Sequence, residues 1–181
     1  MKRIMHPAQR ISGIMAVGLL VALLTVPALA DQEVSETVKA KSNGVVLVEN
    51  IAGSIEVIGW DRDEVKVEGR LTGDVEKVEV DGGKKVTIEV KYPRNMKNMT
   101  GGADLVIHVP AGSRVDIECI SAWIDVQGVT GTVDAESISG AVTIKGDCEE
   151  IEAESISGSI TVDSEAREIS VGSISGRPIV S

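Results

Sequence analysis

Residues 136–144 read ESISGAVTI, and residues 154–162 read ESISGSITV. The same pattern occupies residues 118–126 as ECISAWIDV and residues 172–180 as GSISGRPIV. Each copy therefore begins 18 residues after the one before it. So short a unit cannot bury a core of its own, and a fixed period of this kind indicates units that pack on their neighbours along the chain.

Within each copy, the alternation of residue types predicts strands. Apolar or small residues occupy every second position, as at Ile138, Gly140, Val142 and Ile144, which is the period of a strand with one buried face. We therefore place these residues on an inward face and Ser139 on the outward one. A second, shorter strand is marked by apolar pairs that also recur every 18 residues, at Val133 and Ala135, Ile151 and Ala153, and Ile169 and Val171.

These patterns predict an all-β fold, a β-solenoid or flattened β-roll with 18-residue rungs over residues 119–181. Stacked rungs would place equivalent residues about 4.8 Å apart. The structural repeat consists of Ile120, Ile138, Gly140, Ile156, Gly158, Ile174 and Gly176. The last rung of a solenoid leaves backbone groups unpaired, so the C-terminal edge is a candidate surface for self-association.

Less regular strands are predicted before the repeats. Short runs rich in β-branched residues are separated by Gly, Asp, Asn and Pro, and Asp81-Gly82-Gly83 is a good hairpin turn. The predicted strands are Val45 to Val48, Ile51 to Ile58, Val65 to Leu71, Val75 to Val80, Val86 to Val90 and Leu105 to Val109.

The first thirty residues have the pattern of a secretory signal peptide. Three basic residues frame the start, an apolar stretch covers residues 11–26, and small residues stand at positions 28 and 30. We expect cleavage after Ala30, which leaves one domain over residues 31–181 in the periplasm, on the cell surface or outside the cell. A retained anchor is the alternative, but the stretch is shorter than the roughly twenty residues that span a bilayer.

Acidic residues dominate the rest of the chain. Residues 31–181 contain all 28 Asp and Glu but only 15 of the 18 Lys and Arg, so their net charge is 15 minus 28, or −13. Such a surface repels nucleic acid and anionic lipid. Aromatic residues make up 2% of the sequence, so the core must be aliphatic, with β-branched side chains that suit sheets.

The inventory of reactive side chains argues against an enzyme. His108 is the only histidine after residue 30, and Cys119 and Cys148 stand far apart, so we find neither a nucleophile with a base nor a zinc-ligand spacing. We assign no catalytic, cofactor or metal site. Cys119 is expected to point outward in the phase of Ser137, with Cys148 in the other half of its repeat, and both are expected to be free thiols.

Outward carboxylates leave two further alternatives open. Glycosidic chemistry uses paired carboxyls, for which the candidates would be Asp125, Asp134, Glu136, Glu152 and Glu154. The chain has almost none of the aromatics that would hold a sugar. Calcium takes oxygen ligands, and residues 61–64 and 146–150 are its candidate turns, although neither matches a known calcium loop.

Trp123 interrupts an otherwise small, hydroxylic and acidic outward surface. It falls on the phase that Ala141 and Ser159 occupy in later copies, and an exposed indole is a suitable contact point. Covering by the N-terminal strands is the alternative. The candidate surface contacts are Trp123, Ser139, Ser157, Glu136 and Glu154.

Three features in order resemble the bacterial putative adhesin family of β-strand-repeat domains. They are Asn50 to Asp61, Leu105 to Ser113, and the serial Ser-Ile-Ser-Gly units. The resemblance covers the chain from about Val45 onward and implies an exported, β-solenoid-like envelope domain without catalytic residues.

We therefore expect a non-enzymatic binding or scaffolding module. Its partner would be an envelope or extracellular protein or a glycan, and not nucleic acid. The alternatives are a structural envelope protein that self-assembles through exposed solenoid edges and, more remotely, a carbohydrate-active enzyme on a β-helix.

Overall fold

The computed structural model describes residues 31–94 and 99–181. The predicted signal peptide, residues 1–30, lies outside the described residues. All regular secondary structure within them is β-strand, which confirms the all-β prediction. The strands are β1 (Gln32–Lys39), β2 (Val45–Trp60), β3 (Glu64–Leu71), β4 (Lys77–Asp81), β5 (Lys85–Lys91), β6 (Ala103–Pro110), β7 (Arg114–Gln127), β8 (Thr132–Ser137), β9 (Val142–Lys145), β10 (Glu150–Ser155), β11 (Ile160–Asp163), β12 (Glu168–Ser173) and β13 (Pro178–Val180).

These strands form one large mixed sheet. The long strand β2 bends at Gly53, whose φ of 113° is one that other residues rarely adopt. Its first half pairs with β5 and its second half with β6, both in parallel. Both halves pair with β7 on the other side. Buried side chains from the two halves, such as Val46 and Ile55, meet in a single aliphatic core.

After β7 the chain pairs with itself in steps of 18 residues. Val133 lies opposite Val115 on one side and Ile151 on the other, and Ile151 lies opposite Ile169, always in parallel. The shorter strands keep the same step, from Ile124 through Val142 and Ile160 to Pro178. Equivalent residues of successive copies therefore stand side by side in columns.

Antiparallel strands close the end of the sheet away from the repeats. β3 pairs antiparallel with β6, β1 with β3, and β4 with β5. The connection from β4 to β5 is the predicted hairpin around residues 82–84. At the opposite end, β12 and β13 pair on one side only among the described strands.

Each repeat turns a corner that the alternation did not predict. Ser137 is 5% exposed, and its Oγ accepts a hydrogen bond from the Gly140 amide at 2.9 Å. The same bond recurs 18 residues later, from the Gly158 amide to Ser155 Oγ at 2.8 Å. This serine-to-glycine bridge, a local side-chain turn, leaves the two residues between them pointing outward.

The corner overturns two expectations. The repeat isoleucines do not point inward: Ile120, Ile138 and Ile156 are each 44% exposed, and Ile174 is 79% exposed. Inward positions are 133, 135 and 137 before the corner and 140, 142 and 144 after it, so counting every second residue across the bend assigns the wrong face. Cys119 is opposite Ser137 and is therefore buried, not outward. The inward glycines are where they were expected.

Candidate functional site

The exposed isoleucines form one wall of a groove that runs across the repeats. This wall comprises the exposed Ile120, Ile138 and Ile156 together with the half-buried Ile51. The opposite wall comprises Glu49, Glu89, Glu118, Glu136 and Glu154, and the floor contains Asn50, Cys119, Ser137 and Ser155. We call it the isoleucine–glutamate groove. Its volume is about 560 Å³. Glu49, Glu118, Glu136 and Glu154 lie opposite one another in paired strands. The isoleucines are aligned at the corner, where the amides of Ser139 and Ser157 donate to the carbonyls of Ile120 and Ile138. The groove therefore presents one glutamate and one isoleucine at each of these four steps.

The floor of the groove is buried, and the polar atoms of its Asn50 side chain have hydrogen-bond partners. Tyr92 donates a hydrogen bond from its hydroxyl to Asn50 Oδ1 at 2.8 Å, and Asn50 Nδ2 donates to the Ala103 carbonyl at 3.2 Å. Beside Asn50, burial raises the pKa of the Cys119 thiol to about 12. That thiol is therefore protonated at neutral pH and unsuited to act as a nucleophile.

The glutamate wall has few counter-charges. Among the described side chains, Glu89 contacts Lys91, but no lysine or arginine nitrogen lies within 4.0 Å of Glu118, Glu136 or Glu154. Carboxylates in neighbouring strands at about 4.8 Å repel one another. From Glu118 to Glu154, the wall is therefore a line of uncompensated negative charge.

A second acidic column lies beside this wall on the same outer face. It contains Asp116, Asp134 and Glu152 in successive strands. Arg114 bridges the first two, with Nε 2.7 Å from Asp116 and Nη2 3.3 Å from Asp134. Even so, burial and then the carboxylates of Glu152 and Asp116 raise the pKa of Asp134. One arginine does not neutralise this face.

Trp123 lies outside the groove. Its side chain is 71% exposed, so the N-terminal strands do not cover it. It borders a separate shallow depression of about 420 Å³, where Gln127 Nε2 donates a hydrogen bond to Glu56 Oε1 at 3.0 Å. Of the predicted contacts, Glu136 and Glu154 share the groove, Trp123 lies in the other depression, and Ser139 and Ser157 are exposed at the corner in neither. Their roles as contacts stay predictions.

His108 packs in a cluster that stabilises the turn after β2. Its ring centroid is 4.9 Å from that of Trp60, and the Arg62 guanidinium carbon lies 4.8 Å from the centroid of the Trp60 ring. Trp60 Nε1 donates to the Glu64 carbonyl at 2.9 Å. These contacts are those of a packed turn.

Within residues 31–94 and 99–181, no three His, Cys, Asp or Glu side chains are placed to hold a metal ion. Calcium binding by the acidic turns stays a prediction. Over the same residues, no helix has the length and apolar character needed to cross a membrane.

Sequence reasoning placed Glu136 and Glu154 of the glutamate wall on the outer surface but missed the isoleucine wall and the floor. The available signal was the spacing of Ser137 and Gly140, which suits a serine side chain bonded to the amide three residues later. Asn50 and Gly53 have the same spacing, and Asn50 occupies the column of Cys119.

No protein-family model and no curated protein matches the sequence. A solved structure of a putative cell adhesion protein from Clostridium sporogenes is similar to this chain, with a TM-score of 0.67 at 10% identity, over 83% of this chain and 99% of that one. A putative adhesin from Parabacteroides distasonis aligns over 82% of this chain and 73% of its own, at 16% identity and a TM-score of 0.47. The first likeness establishes the shared fold, as the sequence resemblance implied.

Proposed function

We propose that this chain is an exported, non-enzymatic binding module of the cell envelope that contacts its partner through the isoleucine–glutamate groove. The observation that carries the proposal is one repeat position, occupied by Ile120, Ile138, Ile156 and Ile174, which exposes a large aliphatic side chain in four successive copies. The first three of these side chains line the groove. Contiguous apolar surface rimmed by polar residues is typical of interaction sites. These isoleucine side chains lie on the outer surface and therefore do not contribute to the packing of the core.

Four further points support the proposal. The predicted signal peptide favours export. The pairing in steps of 18 residues favours a β-solenoid, a scaffold that repeats a surface feature along its length. Among the described residues, the Cys119 thiol is buried and protonated and His108 packs against Trp60, so neither side chain is placed to act as a nucleophile or base. A structure of the same fold is named as a putative cell adhesion protein.

Selection from a random peptide display library tests this function. Residues 31–181 would be immobilised as the bait. The affinity of each selected peptide would then be measured for the parent chain and for the triple variant Ile120→Ser, Ile138→Ser, Ile156→Ser. We expect enriched peptides that bind the parent chain and lose at least about tenfold in affinity for the variant, a factor of about 1.4 kcal/mol. Peptides that bind both chains equally would exclude the groove as the binding site.

Self-assembly is a second candidate, favoured by the edge of the last repeat. β12 and β13 have no strand on their outer side among the described residues, and the side chains near that edge are exposed, Ile179 at 58% and Val180 at 52%. Unpaired strand edges bind other strands. Sedimentation of residues 31–181 over a wide concentration range decides it, since a constant monomer mass would eliminate this role.

A further inference from the structure

The two walls of the groove set different requirements on whatever binds there. Isoleucine side chains that are 44% exposed at three successive steps gain from contact with an apolar partner, because burying their surface removes it from water. Glu118, Glu136 and Glu154 face them across the groove. A partner that brought only apolar groups would desolvate these carboxylates without compensation.

A positively charged partner would compensate the charge of the glutamate wall. Ammonium and guanidinium groups form short, charge-assisted hydrogen bonds with carboxylates, and they would relieve the repulsion between glutamates about 4.8 Å apart. Because no cation of the described chain reaches Glu118, Glu136 or Glu154, their full charge is available to a partner.

Other occupants meet only one requirement. A bare metal ion would neutralise glutamates but leave the isoleucine wall in water. Nucleic acid and anionic membranes are repelled by a domain of net charge −13, and a second copy of this chain carries the same charge. The combination favours a ligand that is cationic on one side and apolar on the other.

We propose, building on the binding function above, that the groove takes an extended polypeptide segment in which basic and apolar residues alternate. Successive side chains of an extended chain point in opposite directions. A segment that lies along the groove therefore directs its lysines or arginines to the glutamate wall and its apolar residues to the isoleucine wall. The steps from Ile51 to Ile156 span about 14 Å, which about four or five extended residues cover.

Fluorescence anisotropy with short labelled peptides tests the proposal. The probe is a peptide of about eight residues, long enough to exceed the groove, that alternates lysine and valine. Comparison peptides alternate glutamate with valine and lysine with serine. We expect residues 31–181 to bind the lysine–valine peptide at least about tenfold more tightly than either comparison, and about tenfold more weakly when salt rises from about 50 to about 500 mM.

Charge-matched variants separate the groove from the overall charge. The groove variant combines Glu118→Gln, Glu136→Gln and Glu154→Gln and loses three charges from the groove wall. The control variant combines Glu33→Gln, Glu36→Gln and Glu165→Gln and loses three charges from exposed sites outside the groove. The first set should weaken binding of the lysine–valine peptide about tenfold, and the second less than about threefold. Circular dichroism confirms that both remain folded, as expected for exposed side chains.

Five results would overturn the proposal. Equal losses in the two variant sets would assign binding to net charge alone. Equal affinity for the lysine–serine peptide would remove the isoleucine wall from the interaction, and equal affinity for the glutamate–valine peptide would remove the charge requirement. If the lysine–valine peptide fails while display selects uncharged peptides that need the isoleucines, the cationic partner is wrong and the binding function stands. If selection also yields no groove-dependent peptide, both fall.

Discussion

Gly158→Ala should break the stacking of two neighbouring repeats. A Cβ at this position would overlap the carbonyl oxygen of Gly140 and lie 2.7 Å from its carbonyl carbon. It would also lie 2.8 Å from Ser155 Oγ, the atom that accepts the Gly158 amide hydrogen bond. Backbone atoms cannot rotate away as a side chain can, so the strands must separate or the corner must open.

The cost follows from two contributions. Forcing an extra methyl into a packed site costs about 1–3 kcal/mol, and losing the corner hydrogen bond costs about 1 kcal/mol. Together they remove about 2–4 kcal/mol from a free energy of unfolding that is about 5–15 kcal/mol in ordinary domains. For a domain of about 150 residues the melting temperature should fall by about 5–15 °C.

Gly172→Ala is the matched control, because it makes the same change in the next repeat. The nearest atom to its added Cβ is Glu154 Cγ at 3.6 Å, an ordinary contact. Reduced freedom of the unfolded chain should therefore stabilise this variant by about 0.4–1 kcal/mol. Urea unfolding followed by circular dichroism measures both variants. Similar midpoints for Gly158→Ala and Gly172→Ala would refute the argument that the glycine column sets the approach of the repeats.

Three further outcomes can be measured on residues 31–181. Burial and neighbouring carboxylates raise the pKa of Asp134, so protonation favours the fold and that stabilisation is lost as the pH rises through the folded-state pKa. Asp134→Asn should therefore increase the free energy of unfolding at about pH 7 by less than about 1 kcal/mol, with a higher melting temperature, and should leave both unchanged at about pH 3. A lower melting temperature at neutral pH would contradict this. Acrylamide should quench the emission of Trp123, 71% exposed, more than that of Trp60, as compared in the two single Trp→Phe variants, and equal quenching would argue that Trp123 is covered. Cys119 and Cys148 are buried free thiols and should react with a thiol reagent only after unfolding, so rapid native labelling would contradict their placement.

The step of the repeat could be predicted because the sequence carries it explicitly. Val133, Ile151 and Ile169 stand in the same place in three copies, and the parallel register aligns them. A shift of one residue would turn every inward side chain outward. The repeat therefore specifies both the strands and their alignment without any knowledge of distant contacts.

The isoleucine wall could not be predicted from the repeat, because it depends on a bend in the chain within each copy. Ile138 fits a continuous alternation with Val142 and Ile144, but the corner, where the Gly140 amide donates to Ser137 Oγ, shifts the phase between them. The spacing of apolar residues alone does not indicate where a side-chain hydrogen bond bends the chain. Glu136 was placed correctly because it precedes the corner.

Long-range pairing accounts for what else was missed. β1 was not predicted, since its sequence QEVSETVK is mostly polar, and it forms only because the edge of β3 is available to it. Pairing of β2 with β7 joins residues 69 apart, as at Val45 and Arg114, with no exact repeat between the segments. Such partners are set by the folded sheet and leave little trace in either sequence alone.

The 18-residue step has a consequence at the level of the gene. An in-frame duplication of 18 codons within the repeats would insert one more copy with its glutamate, isoleucine and inward glycine already aligned, and a deletion of 18 codons would remove one. Each event would change the groove length by about 4.8 Å. The antiparallel strands β1, β3 and β4 lie at the far end and would be untouched. The reach of the groove is therefore open to selection in discrete increments, through a class of mutation that would disrupt most folds.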